Sequence, residues 1–172
     1  MEKIHANIIG TSISSNSQEA FTLYKKSSFG VREGEKILYS IPEVLFLAEK
    51  GKMSVFSKKK GLSFKELMKK AYNIDKRISL KYSVFKDLRV KGYVVKTALK
   101  FGADFRVYER GSSPEEKHAK WIVFCDHETA RIGWHEFSAK NRVAHSTKKN
   151  LLLAIVDEEG DVSYYECSWV RP

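Results

Sequence analysis

The chain has 172 residues, of which 42% are hydrophobic, and it carries a formal net charge of +10. This length and apolar content are enough to bury a core, either as one domain or as two small domains, and we favour two. The charge indicates a polyanionic partner, most simply nucleic acid, because lysines and arginines that neutralise phosphates release condensed counterions. Apolar runs are strand-sized, far below the roughly 20 residues that a bilayer-spanning helix needs, so we expect no membrane segment and a cytoplasmic location.

The first part of the chain, residues 1–79, predicts a small mixed α/β domain. Strands are expected at His5–Ile9 and Phe21–Lys25, with a polar turn-forming segment at residues 11–17 between them. The Lys58–Lys60 run has the character of solvated surface rather than of a specific phosphate clamp. These patterns favour a sheet that is followed by helices.

Two segments of this domain begin with the same helix-capping pattern. Ser40 and Glu43, and then Ser63 and Glu66, have the spacing of a capping box, in which each side chain binds the other residue's backbone. Apolar residues recur at helical spacing after each box, and Gly51 ends the first segment. Both segments are therefore predicted helices.

Residues 80–172 predict a second domain with a mixed sheet. An amphipathic helix over Asp75–Lys91, which Gly92 ends, leads into it, and the whole chain is expected to be an α+β or α/β protein. The elements expected after it are strands at Tyr93–Val95, Asp104–Tyr108, Trp121–Cys125, Leu151–Val156 and Val162–Val170, and a helix within Trp134–Ser146. The last two strands flank an acidic hairpin turn that contains Gly160.

Three side chains of the second domain suit phosphodiester cleavage. To cut RNA without a metal, an enzyme needs a base for the 2′-hydroxyl, an acid for the leaving 5′-oxygen and a cation near the phosphate. Tyr108, His118 and Lys149 supply a phenol, an imidazole and an ammonium. We find no convincing metal-ligand set and expect no metal or other cofactor, and we expect Cys125 and Cys167 to be reduced thiols.

Several segments together resemble one known family. Residues 82–96 and 101–111, followed by residues 142–149 and 151–157, are similar to the catalytic domain of archaeal tRNA-splicing endonucleases. The resemblance covers about Leu80 to Pro172, and the first domain is compatible with that family's N-terminal domain. It implies that the second domain has a sheet related to the restriction-endonuclease-like fold.

The resemblance also implies a reaction and its residues. The family's catalytic tyrosine, histidine and lysine fall on Tyr108, His118 and Lys149, with Lys148 as the alternative lysine. The implied reaction is a metal-independent cleavage of precursor tRNA that leaves a 2′,3′-cyclic phosphate and a 5′-hydroxyl. An arginine that stacks on an extruded bulge base falls on Arg142, and its stacking partner on Trp169 or Arg171.

The resemblance further implies an assembly. A bulge-helix-bulge is cut twice, so two active sites are needed, and one chain with a single set of catalytic groups cannot provide them. The family's acidic hairpin, which inserts into a basic cleft of another subunit, corresponds to Asp157, Glu158, Glu159 and Asp161. A homotetramer and a heterotetramer with a separate structural subunit both remain open.

Three other functions compete with this interpretation. The first is a non-catalytic structural subunit of the same assembly, although such a subunit would not be expected to retain all three catalytic groups. The second is a Mg²⁺-dependent nuclease, for which Glu115, Glu116 and Lys117 have the composition but lie in a proline-containing loop. The third is a passive RNA-binding module, for which the positive charge would suffice.

Overall fold

The computed structural model describes residues 2–170 and 172, and the chain divides into two compact units, residues 1–82 and 83–172. Within the described residues the fold is α+β, with two mixed sheets and five α-helices. None of these helices is both long and apolar enough to cross a membrane. The domain boundary after residue 79 stays a prediction.

The first unit contains a six-stranded sheet with the strand order β3-β4-β2-β1-β5-β6. Its strands are β1 (Ile4–Ile9), β2 (Ser12–Ser15), β3 (Val31–Glu33), β4 (Lys36–Tyr39), β5 (Met53–Ser57) and β6 (Lys60–Leu62). β1 and β5 are parallel, and the other neighbouring pairs are antiparallel. The helices of this unit are α1 (Gln18–Ser27), α2 (Ile41–Glu49) and α3 (Phe64–Ile74).

The two capping boxes form as the sequence predicts. The Ser40 N–H donates to the Glu43 carboxylate at 2.9 Å and begins α2, and the Ser63 N–H donates to Glu66 at 2.9 Å and begins α3. Each box satisfies backbone groups that the first turn of a helix leaves without partners. Both predicted helices are confirmed.

The strand expected at Phe21–Lys25 is wrong, because this segment belongs to α1. The Ser17 hydroxyl accepts a hydrogen bond from the Ala20 N–H at 3.3 Å and so caps the helix. Ala20 and Leu23 are buried at helical spacing. The polar segment before Phe21 is therefore partly strand β2 and partly a helix cap.

The helix α4 (Ile78–Val90) runs from the first unit into the second. In the second unit a five-stranded sheet has the order β11-β10-β9-β8-β7. Its strands are β7 (Val94–Thr97), β8 (Phe105–Tyr108), β9 (Trp121–His127), β10 (Asn150–Val156) and β11 (Val162–Cys167), and the helix α5 (Trp134–Ser146) connects β9 to β10. β9 and β10 are parallel, and the other pairs are antiparallel.

One face of this second sheet packs against α5. Ile122 of β9 and Leu151 of β10 are fully buried in a cluster with Ala144 of α5. The Phe105 ring, on the opposite face, lies 5.9 Å from the Phe85 ring of α4. Because side chains alternate between the faces of a strand, these contacts fix which residues of β8, β9 and β10 face α5.

Candidate active site

The strands β8, β9 and β10 share one end of the second sheet. Val107 of β8 pairs with Trp121 of β9, and Trp121 pairs with Asn150 of β10. Tyr108 directly follows the first member of this row, and Lys149 directly precedes the last. Neighbouring strands are about 4.8 Å apart, so the backbones at Tyr108 and Lys149 are separated by roughly 10 Å. Long side chains can therefore converge on one group at this edge.

Tyr108 ends β8 and is buried in a cluster with Val94 and Ala119. Burial raises the pKa of its phenol above the ordinary value, while the positive charge of Arg106 acts in the opposite direction. The phenol is therefore protonated at neutral pH in the free protein. It can act as a base only after it has lost this proton, and neighbouring cations favour that loss by stabilising the phenolate.

Lys149 is positioned by the end of α5. The Lys149 N–H donates to the Ala144 carbonyl and the Lys148 N–H to the His145 carbonyl, both at 2.9 Å, which is the pattern of a Schellman cap. Lys148 has a φ of 54°, is exposed, and occupies the left-handed position of this cap. Lys149 is half-buried, and its ammonium donates to the Thr147 carbonyl at 2.7 Å.

The Lys149 ammonium lies in a partly apolar setting. Its Nζ is 5.9 Å from the centre of the Phe101 ring. Burial lowers the pKa of this ammonium below its ordinary value, and the nearby charge of Arg106 lowers it further. Of the two adjacent lysines, Lys149 is the one that the fold holds in a defined place.

His118 lies in the loop between β8 and β9, two residues before Lys120. The Lys120 N–H donates to the Val107 carbonyl at 2.9 Å, and Ala119 packs against Tyr108, so the loop returns to the end of β8. The His118 side chain is exposed, and within the described part of the chain it makes no hydrogen bond. His118 thus stands at the same sheet end as Tyr108 and Lys149, open to a ligand.

Arg106 was missed by the sequence reasoning. It pairs with Ile122, which in turn pairs with Leu151, so it lies on the face of the sheet that packs against α5. Tyr108 is two residues further along the same strand and shares that face. The signal was available, because Arg106 is a charged residue between the apolar Phe105 and Val107, at the same strand parity as Tyr108.

The residues predicted to hold a bulge base lie on and near α5. Arg142 is exposed one helical turn before His145, and the His145 ring lies 4.5 Å from the ring of Trp169. Trp169 is 51% exposed and follows the end of β11, so the strand predicted to reach Val170 stops at Cys167. Arg171 lies outside the described residues.

The four predicted acidic residues occupy the turn between β10 and β11. The Asp161 N–H donates to the Asp157 carboxylate at 2.9 Å, and the Gly160 N–H donates to the Asp157 carbonyl at 3.2 Å. Gly160 has a φ of 89°, a conformation that glycine adopts without steric cost. Glu158, Glu159 and Asp161 are exposed, so the predicted hairpin is confirmed, and its carboxylates face solvent.

The groups considered for other chemistry lie in one exposed loop and at two separate cysteines. Glu115, Glu116 and Lys117 are exposed in the β8–β9 loop, where the Lys117 N–H donates to the Ser113 carbonyl at 2.9 Å. Across residues 2–170 and 172, no three His, Cys, Asp or Glu side chains are grouped as metal ligands. Cys125 and Cys167 are free thiols, as expected.

The sequence is similar to known proteins over most of its length. Residues 78–164 match the family model described as tRNA intron endonuclease, catalytic C-terminal domain, and residues 6–68 match the model of the N-terminal domain of the same enzyme. Over 163 residues, 94% of this chain and 95% of the relative, the chain is 42% identical to the tRNA-splicing endonuclease of Thermococcus gammatolerans. It is 42% identical over 149 residues to that of Pyrococcus horikoshii, covering 87% of this chain and 85% of the relative. The identity to the tRNA-splicing endonuclease of Nanoarchaeum equitans is 43% over 136 residues, covering 76% and 87%.

Proposed function

The chain belongs to the tRNA intron endonuclease family, and from this membership we propose that it removes introns from precursor tRNA by cutting both exon–intron junctions. The observation that carries the proposal is the common sheet end of Tyr108, His118 and Lys149 in the part of the chain that matches the catalytic domain. The net charge of +10 suits an RNA substrate.

The reaction is an in-line attack of the 2′-oxygen on the adjacent phosphorus. The Tyr108 phenol first loses its own proton to solvent, and the phenolate then accepts the proton of the 2′-hydroxyl. The new bond between the 2′-oxygen and phosphorus forms, and the bond to the 5′-oxygen breaks. His118 donates a proton to that leaving oxygen, and Lys149 stabilises the charge on the pentacoordinate phosphate. The products are a 2′,3′-cyclic phosphate and a 5′-hydroxyl, and the protein groups supply both proton transfers of this cleavage without a metal ion.

The raised pKa of Tyr108 sets a condition on this scheme. Because its anion is poorly solvated, a buried phenol is rarely in the phenolate form that accepts a proton, so nearby cations must first stabilise the phenolate. Arg106 lies on the same face of the sheet as Tyr108, and its positive charge acts on both Tyr108 and Lys149. The positive charges of Arg106 and Lys149 also attract a phosphate. These two side chains therefore both position the substrate and favour the phenolate form of Tyr108.

The proposed substrate feature is a bulge-helix-bulge. Its unpaired bases expose flat surfaces that a planar cation or an indole can stack on, whereas an A-form duplex hides its base edges. Arg142 and Trp169 are exposed planar groups, and the His145 ring connects the helix of Arg142 with Trp169. We propose that they hold a bulge base, with Arg171 as the alternative partner.

We also propose that the catalytic unit has the restriction-endonuclease-like fold and acts in an oligomer. A mixed five-stranded sheet with α4 and α5 on its two faces supports the first point. The need for two cuts at a fixed separation supports the second. The assembly is a homotetramer or a heterotetramer with a structural subunit, and the acidic turn is its proposed subunit contact.

The test is single-turnover cleavage of an intron-containing precursor tRNA in excess EDTA. We expect cleavage to persist, with a cyclic phosphate on one product, and His118→Ala and Lys149→Ala to lower the rate by at least ~10²-fold with little loss of RNA affinity. His127→Ala at the opposite end of β9 is the matched control and should cut at the wild-type rate. Cleavage that stops in EDTA, or an equal loss of binding and rate in the variants, would contradict the proposal.

A further inference from the structure

The reaction proposed above uses only the positive charge of Arg106 and assigns it no direct contact with the substrate. Arg106 lies in the middle of β8 on the face that packs against α5, two residues before Tyr108 and two strands away from β10, which Lys149 directly precedes. Its cross-strand neighbour on β7 is Lys96, which is also a cation. Arg106 is half-buried, and a charge that is partly removed from water costs free energy unless an opposite charge or hydrogen bonds compensate it.

Among the residues that the structure describes, no opposite charge pairs with the guanidinium of Arg106, and its Nε is buried without a hydrogen-bond partner. Lys149 is close enough for the two positive charges to interact, and so is the phenol of Tyr108. The protein therefore holds two cations together, at a cost in stability, around a position that an anion would neutralise.

We propose that Arg106 is a ligand of the scissile phosphate, its guanidinium binding a non-bridging oxygen between Tyr108 and Lys149. This inference rests on the proposed function and adds a fourth group to its site. A guanidinium presents several N–H donors in one plane and suits phosphate oxygens better than a single ammonium does. The unpaired Nε becomes satisfied when the substrate phosphate arrives.

A first experiment measures anion binding without RNA. The midpoint of thermal unfolding is followed as inorganic phosphate replaces chloride at constant ionic strength, for wild type, Arg106→Gln and Arg131→Gln. A ligand that binds only the folded state raises the midpoint with its concentration, and the general effect of phosphate on folding acts on all three proteins. We expect phosphate to raise the unfolding midpoint of wild type and Arg131→Gln by the same amount, and that of Arg106→Gln by a smaller amount that reflects only the general effect. Equal rises in all three proteins would overturn the inference.

A second experiment measures cleavage. Arg106→Gln should lower the single-turnover rate by about 10²-fold, and Arg106→Lys, which keeps the charge but not the fork, by about tenfold. Binding of a precursor with a 2′-deoxy residue at the cleavage site should change by less than about threefold. If Arg106→Gln fails to fold, the Arg106→Lys rate decides, and a wild-type rate there overturns the inference.

The two proposals fail in different ways. If Arg106→Gln cuts at the wild-type rate while Lys149→Ala cuts much more slowly, the role of Arg106 is contradicted and the proposed function is not. If the wild-type protein does not cut precursor tRNA, the proposed function is contradicted. The phosphate titration still tests whether Arg106 binds a phosphate.

Discussion

Lys148 and Lys149 are chemically identical neighbours that the fold treats differently. Lys148 is exposed and has a φ of 54°, which costs a residue with a Cβ roughly 1–2 kcal/mol. Lys149 has ordinary backbone geometry and a half-buried side chain whose ammonium donates to Thr147. The position of Lys148 therefore serves to end the helix, whereas the ammonium of Lys149 is held in place and can bind a phosphate.

This difference gives a test of which lysine acts. Lys148→Gly removes the strain of the left-handed position, and part of that gain is lost to the greater freedom of glycine in the unfolded chain. We expect the free energy of unfolding to rise by about 0.5–1 kcal/mol in urea titrations, and the rate of RNA cleavage to stay within about twofold of wild type. A cleavage rate that falls as far in Lys148→Gly as in Lys149→Ala would assign the role to Lys148 instead.

The capping box of α3 makes the stability of one helix depend on pH. Hydrogen bonds from Lys60 and from Ser63, at its N–H and its hydroxyl, hold the pKa of Glu66 at about 2, below its ordinary value of 4.5. The folded state therefore binds fewer protons than the unfolded state between these two values. The stabilisation is fully present above pH 4.5 and is lost as the pH falls towards 2.

We expect the unfolding midpoint of Glu66→Gln to lie below that of wild type at pH 6, because the neutral amide cannot accept these bonds as a carboxylate does. The difference should shrink as the pH falls from 5 to 2.5, followed by circular dichroism. Glu35→Gln removes an exposed carboxylate outside any cap and should follow the wild-type profile. A difference between wild type and Glu66→Gln that stays constant with pH would contradict the role of the box.

The elements that sequence reasoning found are those with strong local signals. The boxes at Ser40 and Ser63 predicted α2 and α3, and the apolar spacing before Gly92 predicted α4. The runs on either side of the acidic turn predicted β10 and β11. In each case the residues that decide the structure are close together in the sequence.

The elements that it missed depend on distant partners. β3 and β6 have three residues each, too few for a period-two pattern, and exist because β4 and β5 pair with them. The cap of α1 was hidden because Ser17 ends a polar segment that also contains β2. For the site, the residue types of Tyr108, His118 and Lys149 were visible in the sequence, whereas the unpaired state of Arg106 emerges only from the packing around it.

At the scale of the whole molecule, the acidic turn stands out against the charge of the chain. Four carboxylates lie within residues 157–161 of a protein whose net charge is +10. Glu158 and Glu159 are exposed, while Asp157 accepts the bond that shapes the turn. We propose that this negative turn binds a basic surface of another copy, and such an attraction between exposed charges depends on salt.

We therefore predict that Glu158→Gln with Glu159→Gln lowers the oligomer mass measured by light scattering at 0.1 M NaCl, towards that of smaller assemblies of the 19.8 kDa chain. The variant leaves Asp157 in place, so the hairpin keeps its internal bonds. Glu33→Gln with Glu35→Gln removes two exposed carboxylates at the connection between β3 and β4, where Glu33 ends β3 and pairs with Lys36, and is the control, expected to keep the wild-type mass. In wild type, raising NaCl to 1 M shortens the screening length from about 10 Å to about 3 Å and should lower the mass in the same direction. If both double variants keep the wild-type mass in low salt, the carboxylates of the hairpin do not join subunits, and the assembly rests on another surface.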